Sequence, residues 1–256
     1  TNDASIINAR ASEQSYSASP ENPLDSHPEL QESGRKAMED FAPGGLGVPF
    51  SLTTALNQIK ASGIKVAEIA NISRLLDNKI LKEFTVEFMA WDDFRQYASP
   101  AKGILNKAVI LQEERRIIIS EGFNNSYDYT ATQNLMADIL HEAVHAVTRP
   151  ALDLAYALST GKKSVMDAAL AKHGTPSNFN MSSEALVKIW NNVNDVLLPY
   201  LREKGKSRLD LLYGLTSIDE FFSELALQKV VEHQGLQRPF ETPSQFYALL
   251  EFEQFD

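Results

Sequence analysis

Five consecutive residues, His141-Glu142-Ala143-Val144-His145, set a carboxylate between two imidazoles. On a helix, positions i and i+4 lie one turn apart on one face, so both imidazoles can reach a single metal ion. Glu142, next to the first imidazole, is then placed to act as a base toward water on that ion. The flanking residues fit a helix. Met136, Ile139, Leu140, Ala143, Val144 and Val147 follow helical spacing, whereas Asn134, Asp138, His141, His145 and Thr148 fall on another face. The Arg149-Pro150 step is expected to end this helix, because the residue before proline is driven out of the helical region. Ordinary residue frequencies produce the five-residue pattern in roughly one chain in a hundred or two. The helical phase therefore carries much of the argument, against the alternative that two His and a Glu met by accident on a solvated face.

Composition narrows the ion. The chain has no cysteine, which excludes thiolate ligands and a disulfide framework. A metal must then be held by His and carboxylate, a donor set that suits Zn2+. A catalytic zinc usually takes three protein ligands and leaves the fourth position to water. The third ligand is another His, Glu or Asp, and residue type alone leaves many candidates.

The elements that must position these groups can be read along the 256 residues. Residues 1–50 are rich in Ser, Asn, Glu and Pro and close on Ala42-Pro43-Gly44-Gly45-Leu46-Gly47. By composition this is a linker. We read it as an extended N-terminal arm, held by its own domain or by a neighbouring subunit. It could serve as a prosegment or strap. Residues 51–256 are read as one catalytic domain. Helical patterns run over about 51–62, 66–81, 130–148, 152–158, 165–172, 183–203, 218–231 and 243–252. Phe84–Ala90 alternates, and Ala108–Leu111 and Arg115–Ser120 are short β-branched runs, which predicts a small sheet with a hairpin through Glu113-Glu114. The expected class is α+β, mostly helical. Arg115–Ser120 is the candidate exposed edge strand on which a peptide could add as a further strand.

Residues 213–226 read Tyr-Gly-Leu-Thr-Ser-Ile-Asp-Glu-Phe-Phe-Ser-Glu-Leu-Ala. This stretch resembles the second zinc motif of the anthrax lethal factor peptidase family, which carries a Tyr seven residues before a ligand Glu within Glu-Phe-Phe-x-Glu. It is also similar to the metallopeptidase domains of large polyvalent proteins of phages and mobile elements, whose Leu-His-Glu-x-Val-His-Ala helix Leu140–Ala146 matches. The resemblance spans about Arg115 to the C-terminus and implies a zincin-like fold of the gluzincin type. Zinc would lie on His141, His145 and Glu220, with Glu142 as general base and Tyr213 near the oxyanion. The implied activity is that of a zinc metalloendopeptidase, a hydrolase acting on a protein or peptide, encoded by a phage or delivered into a host cell. The stretch from His145 to Glu220 is longer than the resemblance leads one to expect, and it holds two or three extra helices. The alternative is a catalytically silent module of the same fold, with a binding or structural role.

Several of these residues also have plainer readings. Ser217-x-x-Glu220 is a capping box, which predicts an exposed Glu220. Phe221, Phe222 and Leu225 fit core positions. Glu224 is either an orienter of a ligand imidazole or a solvated helix carboxylate. His173 and His233 are expected in surface or packing roles, and His27 in none. The 34 acidic against 24 basic residues give a net charge of −10, which argues against nucleic acid and anionic membranes as partners. No apolar run approaches the about twenty residues that span a bilayer. The start at Thr1 has no signal-peptide pattern and is read as that of an excised or processed piece.

Overall fold

The computed structural model describes residues 28–65, 71–97, 108–121, 130–179, 181–199, 202 and 217–226. His27, Tyr213, His233 and the helix expected over 243–252 lie outside the described residues. The protein is α+β and mostly helical, with one four-stranded sheet among the described residues. It divides into two compact units at the Ala143–Val144 step, inside a single continuous helix.

The described residues of the unit before that step open with α1 (Pro28–Phe41), where an extended arm is expected. The polar composition hides a narrow apolar stripe: Ala37, Met38 and Phe41 are all buried. Phe41 packs in a ring cluster with Phe50 and Phe88, at centroid distances of 6.4 and 6.1 Å. Strand β1 (Phe50–Ser51) leads directly into α2 (Leu52–Ser62), whose first turn is capped by the Ser51 hydroxyl accepting from the Thr54 N–H at 3.0 Å. Gly63 ends it in the left-handed conformation (φ 65°), which suits glycine.

The helix expected over 66–81 is interrupted within its described part. Only α3 (Ile72–Asp77) is α-helical, and Leu81–Glu83 forms a short 3-10 turn. The cause is local. Asn78 Oδ1 accepts from the Ile80 and Leu81 N–H groups, an alternative to helix that Asn readily offers.

Strand β2 (Thr85–Met89) is followed by the short helix α4 (Trp91–Phe94). Strands β3 (Ala108–Leu111) and β4 (Arg116–Ser120) form the expected hairpin, turning through Gln112–Arg115. The strand order is β1-β2-β4-β3, with β2 and β4 parallel and the other pairs antiparallel. This overturns the edge-strand assignment of Arg115–Ser120. Strand β4 lies inside the sheet with both edges paired, and Ile117, Ile118 and Ile119 are buried in succession, as in a strand covered on both faces. The outer strand beside it is β3.

A buried carboxylate joins α1 to the end of this sheet. Glu121 Oε1 accepts from Gln31 Nε2 (2.9 Å) and from the Trp91 N–H (3.2 Å), and Oε2 accepts from Arg35 Nε (2.8 Å). Burial alone would raise the Glu121 pKa, but these donors outweigh it and hold the carboxyl below its ordinary value.

The long helix α5 (Ala131–Thr160) opens with a reciprocal capping box: Gln133 N–H donates to Thr130 Oγ1, and Thr130 N–H to Gln133 Oε1. It does not stop at Arg149. Pro150 lies within it, and the segments expected over 130–148 and 152–158 are one helix. Ala151, Leu152, Leu154, Ala155 and Ala157 are at most 1% exposed, so burial of this continuing stripe overrides the local penalty of proline.

Beyond it come α6 (Lys163–His173) and α7 (Ser183–Trp190). The helix predicted over 183–203 changes to a π-helical turn at Asn191–Leu197. Helix α8 (Ile218–Ala226) follows, with Phe221 and Phe222 in the core as their spacing predicts. Among the described residues no helix is long and apolar enough to cross a membrane.

The Glu121 cluster yields a stability prediction. Hydrogen bonds to a charged group are worth about 1.5–3 kcal/mol. The Arg35 side chain is 48% exposed, so its share is partly screened. Glu121→Ala is therefore expected to lower the unfolding free energy by about 2 kcal/mol in urea denaturation. The folded pKa lies below the ordinary 4.5, so the ionic contribution is present above that value and lost as pH falls through the folded pKa. Glu121→Gln should then approach the wild type in acid, and a gap unchanged down to pH 3 would contradict this account.

Candidate metal centre

Helix α5 carries a polar stripe that is buried. Asn134, Asp138, His141, Glu142 and His145 are each 7% exposed or less, and Thr148 is fully covered. A solvated helix face is thus ruled out for the two histidines. Polar groups removed from water in this way must find partners, and α8 supplies partners to His145.

His141, His145 and Glu220 each offer one ligand atom, and these atoms all lie within 4.8 Å of one another. His145 Nε2 and Glu220 Oε2 are 3.3 Å apart. An ion taking nitrogen and oxygen ligands at about 2.0–2.2 Å in a tetrahedron separates neighbouring ligand atoms by about 3.3–3.6 Å. That edge of the site therefore needs little or no rearrangement, and the buried group could hold a metal ion.

The other nitrogen of His145 is also engaged. Ser223 Oγ lies 3.0 Å from Nδ1 in hydrogen-bonding geometry. Asp219 Oδ1 approaches the same nitrogen to 2.7 Å without a well-directed hydrogen bond, so the contact is an ion-pair approach. The second oxygen, Asp219 Oδ2, accepts from Arg149 Nε at 2.6 Å. Burial by itself would lower the His145 pKa, but the Asp219 and Glu220 carboxylates raise it on balance, with Arg149 opposing them. Burial would raise Asp219, and Arg149 and His145 together hold it below the usual carboxylate range. Groups on Nδ1 leave Nε2 as the nitrogen facing Glu220, the arrangement in which a ring is oriented for a metal from its far side.

The expected site residues fall as follows. His141, His145 and Glu220 are brought together, and Glu142 is buried between the two histidines on α5. Tyr213 lies outside the described residues. Ser217 caps the helix, its Oγ accepting from the Glu220 N–H at 3.1 Å, but Glu220 is not exposed as the capping reading predicts: its side chain is 17% exposed and its carboxylate reaches His145. Glu224 is buried rather than solvated. The groups on His145 Nδ1 are Asp219 and Ser223, which sequence reasoning missed. Their spacing was a usable signal: Asp219 precedes Glu220, Ser223 follows Asp219 by one helical turn, and Arg149 follows His145 by one turn. His173, expected in a surface or packing role, has its Nε2 3.0 Å from Asp153 Oδ2.

No family model, characterised protein or solved structure matches the chain.

If the three residues hold an ion, a divalent first-row metal present at a hundred times its dissociation constant should stabilise the fold by about 2.7 kcal/mol. Thermal melts with and without metal measure this. His145→Ala is expected to abolish the increment, and a metal-dependent shift that survives the substitution would remove His145 from the site.

Proposed function

We propose that the chain is a zinc-dependent endopeptidase. The observation that carries this reading is the convergence of His141, His145 and Glu220 beside a buried Glu142, with Asp219 and Ser223 on the far nitrogen of His145. Two imidazoles and one carboxylate are a donor set used for catalytic zinc, with a fourth position left for water. Absence of cysteine leaves no thiolate competitor. The His-Glu-x-x-His pattern and the Glu-Phe-Phe-x-Glu stretch, which resemble those of the lethal factor and phage metallopeptidases, support a zincin-like fold of the gluzincin type.

Bound zinc lowers the pKa of water to about 7 and polarises a carbonyl, so that hydroxide is available at neutral pH. The remaining work belongs to the chain. His141, His145 and Glu220 hold the ion, and Asp219 and Ser223 orient the His145 ring. Glu142 takes the proton of the attacking water and passes it to the leaving amine, a transfer worth about 10²–10⁴-fold in rate. Tyr213 would donate a hydrogen bond to the developing oxyanion, worth about 3–4 kcal/mol for such a donor. The substrate is a protein or peptide, and the acidic chain favours basic ones.

Zinc content by elemental analysis, combined with a peptide-library cleavage assay, tests the proposal. The wild type should carry one zinc per chain, His141→Ala and Glu220→Ala should carry less, and Glu142→Gln should keep zinc while losing at least about 10²-fold in kcat/KM. Zinc binding without cleavage in the wild type would favour the silent module of the same fold. Metal content indifferent to Glu220 would overturn the ligand set.

A further inference from the structure

Once α8 has started at Ser217, nothing in its cap decides how it is rotated against α5. The Ser217 hydroxyl holds the Glu220 N–H and so defines where the helix begins, but a cap leaves the rotation of the helix about its own axis open. Glu220 must nonetheless meet His145 Nε2 with its carboxylate, to within a few tenths of an ångström if both are to ligate one ion.

We propose that Asp219 is a positioning residue whose two carboxylate oxygens grip successive turns of α5, at His145 and Arg149, and so set the register in which Glu220 meets His145. The inference rests on the metal-centre reading. His145 and Arg149 stand four residues apart on one helix, so they present a nitrogen pair spaced by one turn. Asp219 spans that pair, with Oδ1 2.7 Å from His145 Nδ1 and Oδ2 2.6 Å from Arg149 Nε. Adjacent residues on a helix point about 100° apart, so anchoring Asp219 also fixes the direction of Glu220. Ser223, one turn further along α8, meets the same His145 nitrogen and makes a second point of the same contact. One imidazole is thereby flanked from both ends by consecutive carboxylates that have different tasks. Asp219 sets the rotation of the helix, and Glu220 faces the ion.

Arg149 is the outer of the two groups that Asp219 grips, its Nε 2.6 Å from Oδ2. The Asp219 side chain is 10% exposed and the Arg149 side chain 28%, so Arg149 can be altered with less disturbance of the core. Arg149 is therefore the informative position for a test.

The full chain, stripped of metal, is titrated with Co2+ while its visible ligand-field absorption is recorded. Metal-free melting curves are taken in parallel for wild type, Arg149→Gln, Arg149→Lys and Asp219→Asn. Loss of the grip is expected to weaken Co2+ binding by about 10- to 100-fold in Arg149→Gln and Asp219→Asn and to change the ligand-field bands. Arg149→Lys, which keeps the charge, is expected to restore part of the affinity. If Asp219→Asn fails to fold, Arg149→Gln decides. An Arg149→Gln chain that melts earlier yet binds Co2+ with wild-type affinity and spectrum overturns the positioning role alone. A wild type that binds no Co2+ overturns the metal centre, and this role with it.

Discussion

A buried imidazole has two nitrogens to satisfy, and the geometry around His145 is the constraint on which the rest of this site depends. The residue is 1% exposed, so water cannot serve either nitrogen freely. Nδ1 faces Asp219 and Ser223, and Nε2 faces Glu220. These three groups come from one short helix within five residues of one another. Moving α8 by a single position would put Ile218 and Phe222 against Nδ1 in one direction or Phe221 against Nε2 in the other, so that an apolar side chain faces one of the two nitrogens. The contact therefore specifies one packing of α8 and disfavours its neighbours, through the cost of leaving a polar ring without partners.

The same logic explains why charge is tolerated at this depth. Two carboxylates, Asp219 and Glu220, beside one imidazole would be expensive to bury without Arg149, whose guanidinium lies against Asp219. Arg149 stays partly exposed, and its long apolar stem lets the charged head reach inward while retaining some hydration. Such an assembly is costly if any member is removed, since each acts as the counter-charge of another. Glu121 follows a similar rule elsewhere: one buried carboxylate collects three donors from two separate segments, α1 and the start of α4.

What the amino-acid sequence determined by itself is the local chemistry. The pair His141 and His145, the intervening Glu142, the helical phase around them and the short β-branched strands are all legible, because they depend on neighbours within one turn or one pleat. The cap at Ser217 and the hairpin through Glu113-Glu114 are legible for the same reason. Glu220 was reachable only through resemblance, since many carboxylates satisfy the demand for a third ligand and spacing along the chain does not reveal distance in space.

Tertiary structure decided the rest. Pro150 was expected to end α5, but the helix runs on, because the apolar stripe beyond it is buried and long-range packing outweighs one local preference. Strand β4 was expected at an edge, but pairing on both sides places it inside the sheet, and strand order is a non-local property that alternation cannot encode. The helix at Pro28–Phe41 arose within a polar segment because three apolar residues sufficed once a surface existed for them to cover. The roles of Asp219, Ser223 and Arg149 belong to this category as well. Each is an ordinary helix residue until α5 and α8 lie side by side, and only that juxtaposition turns them into the partners of a buried histidine.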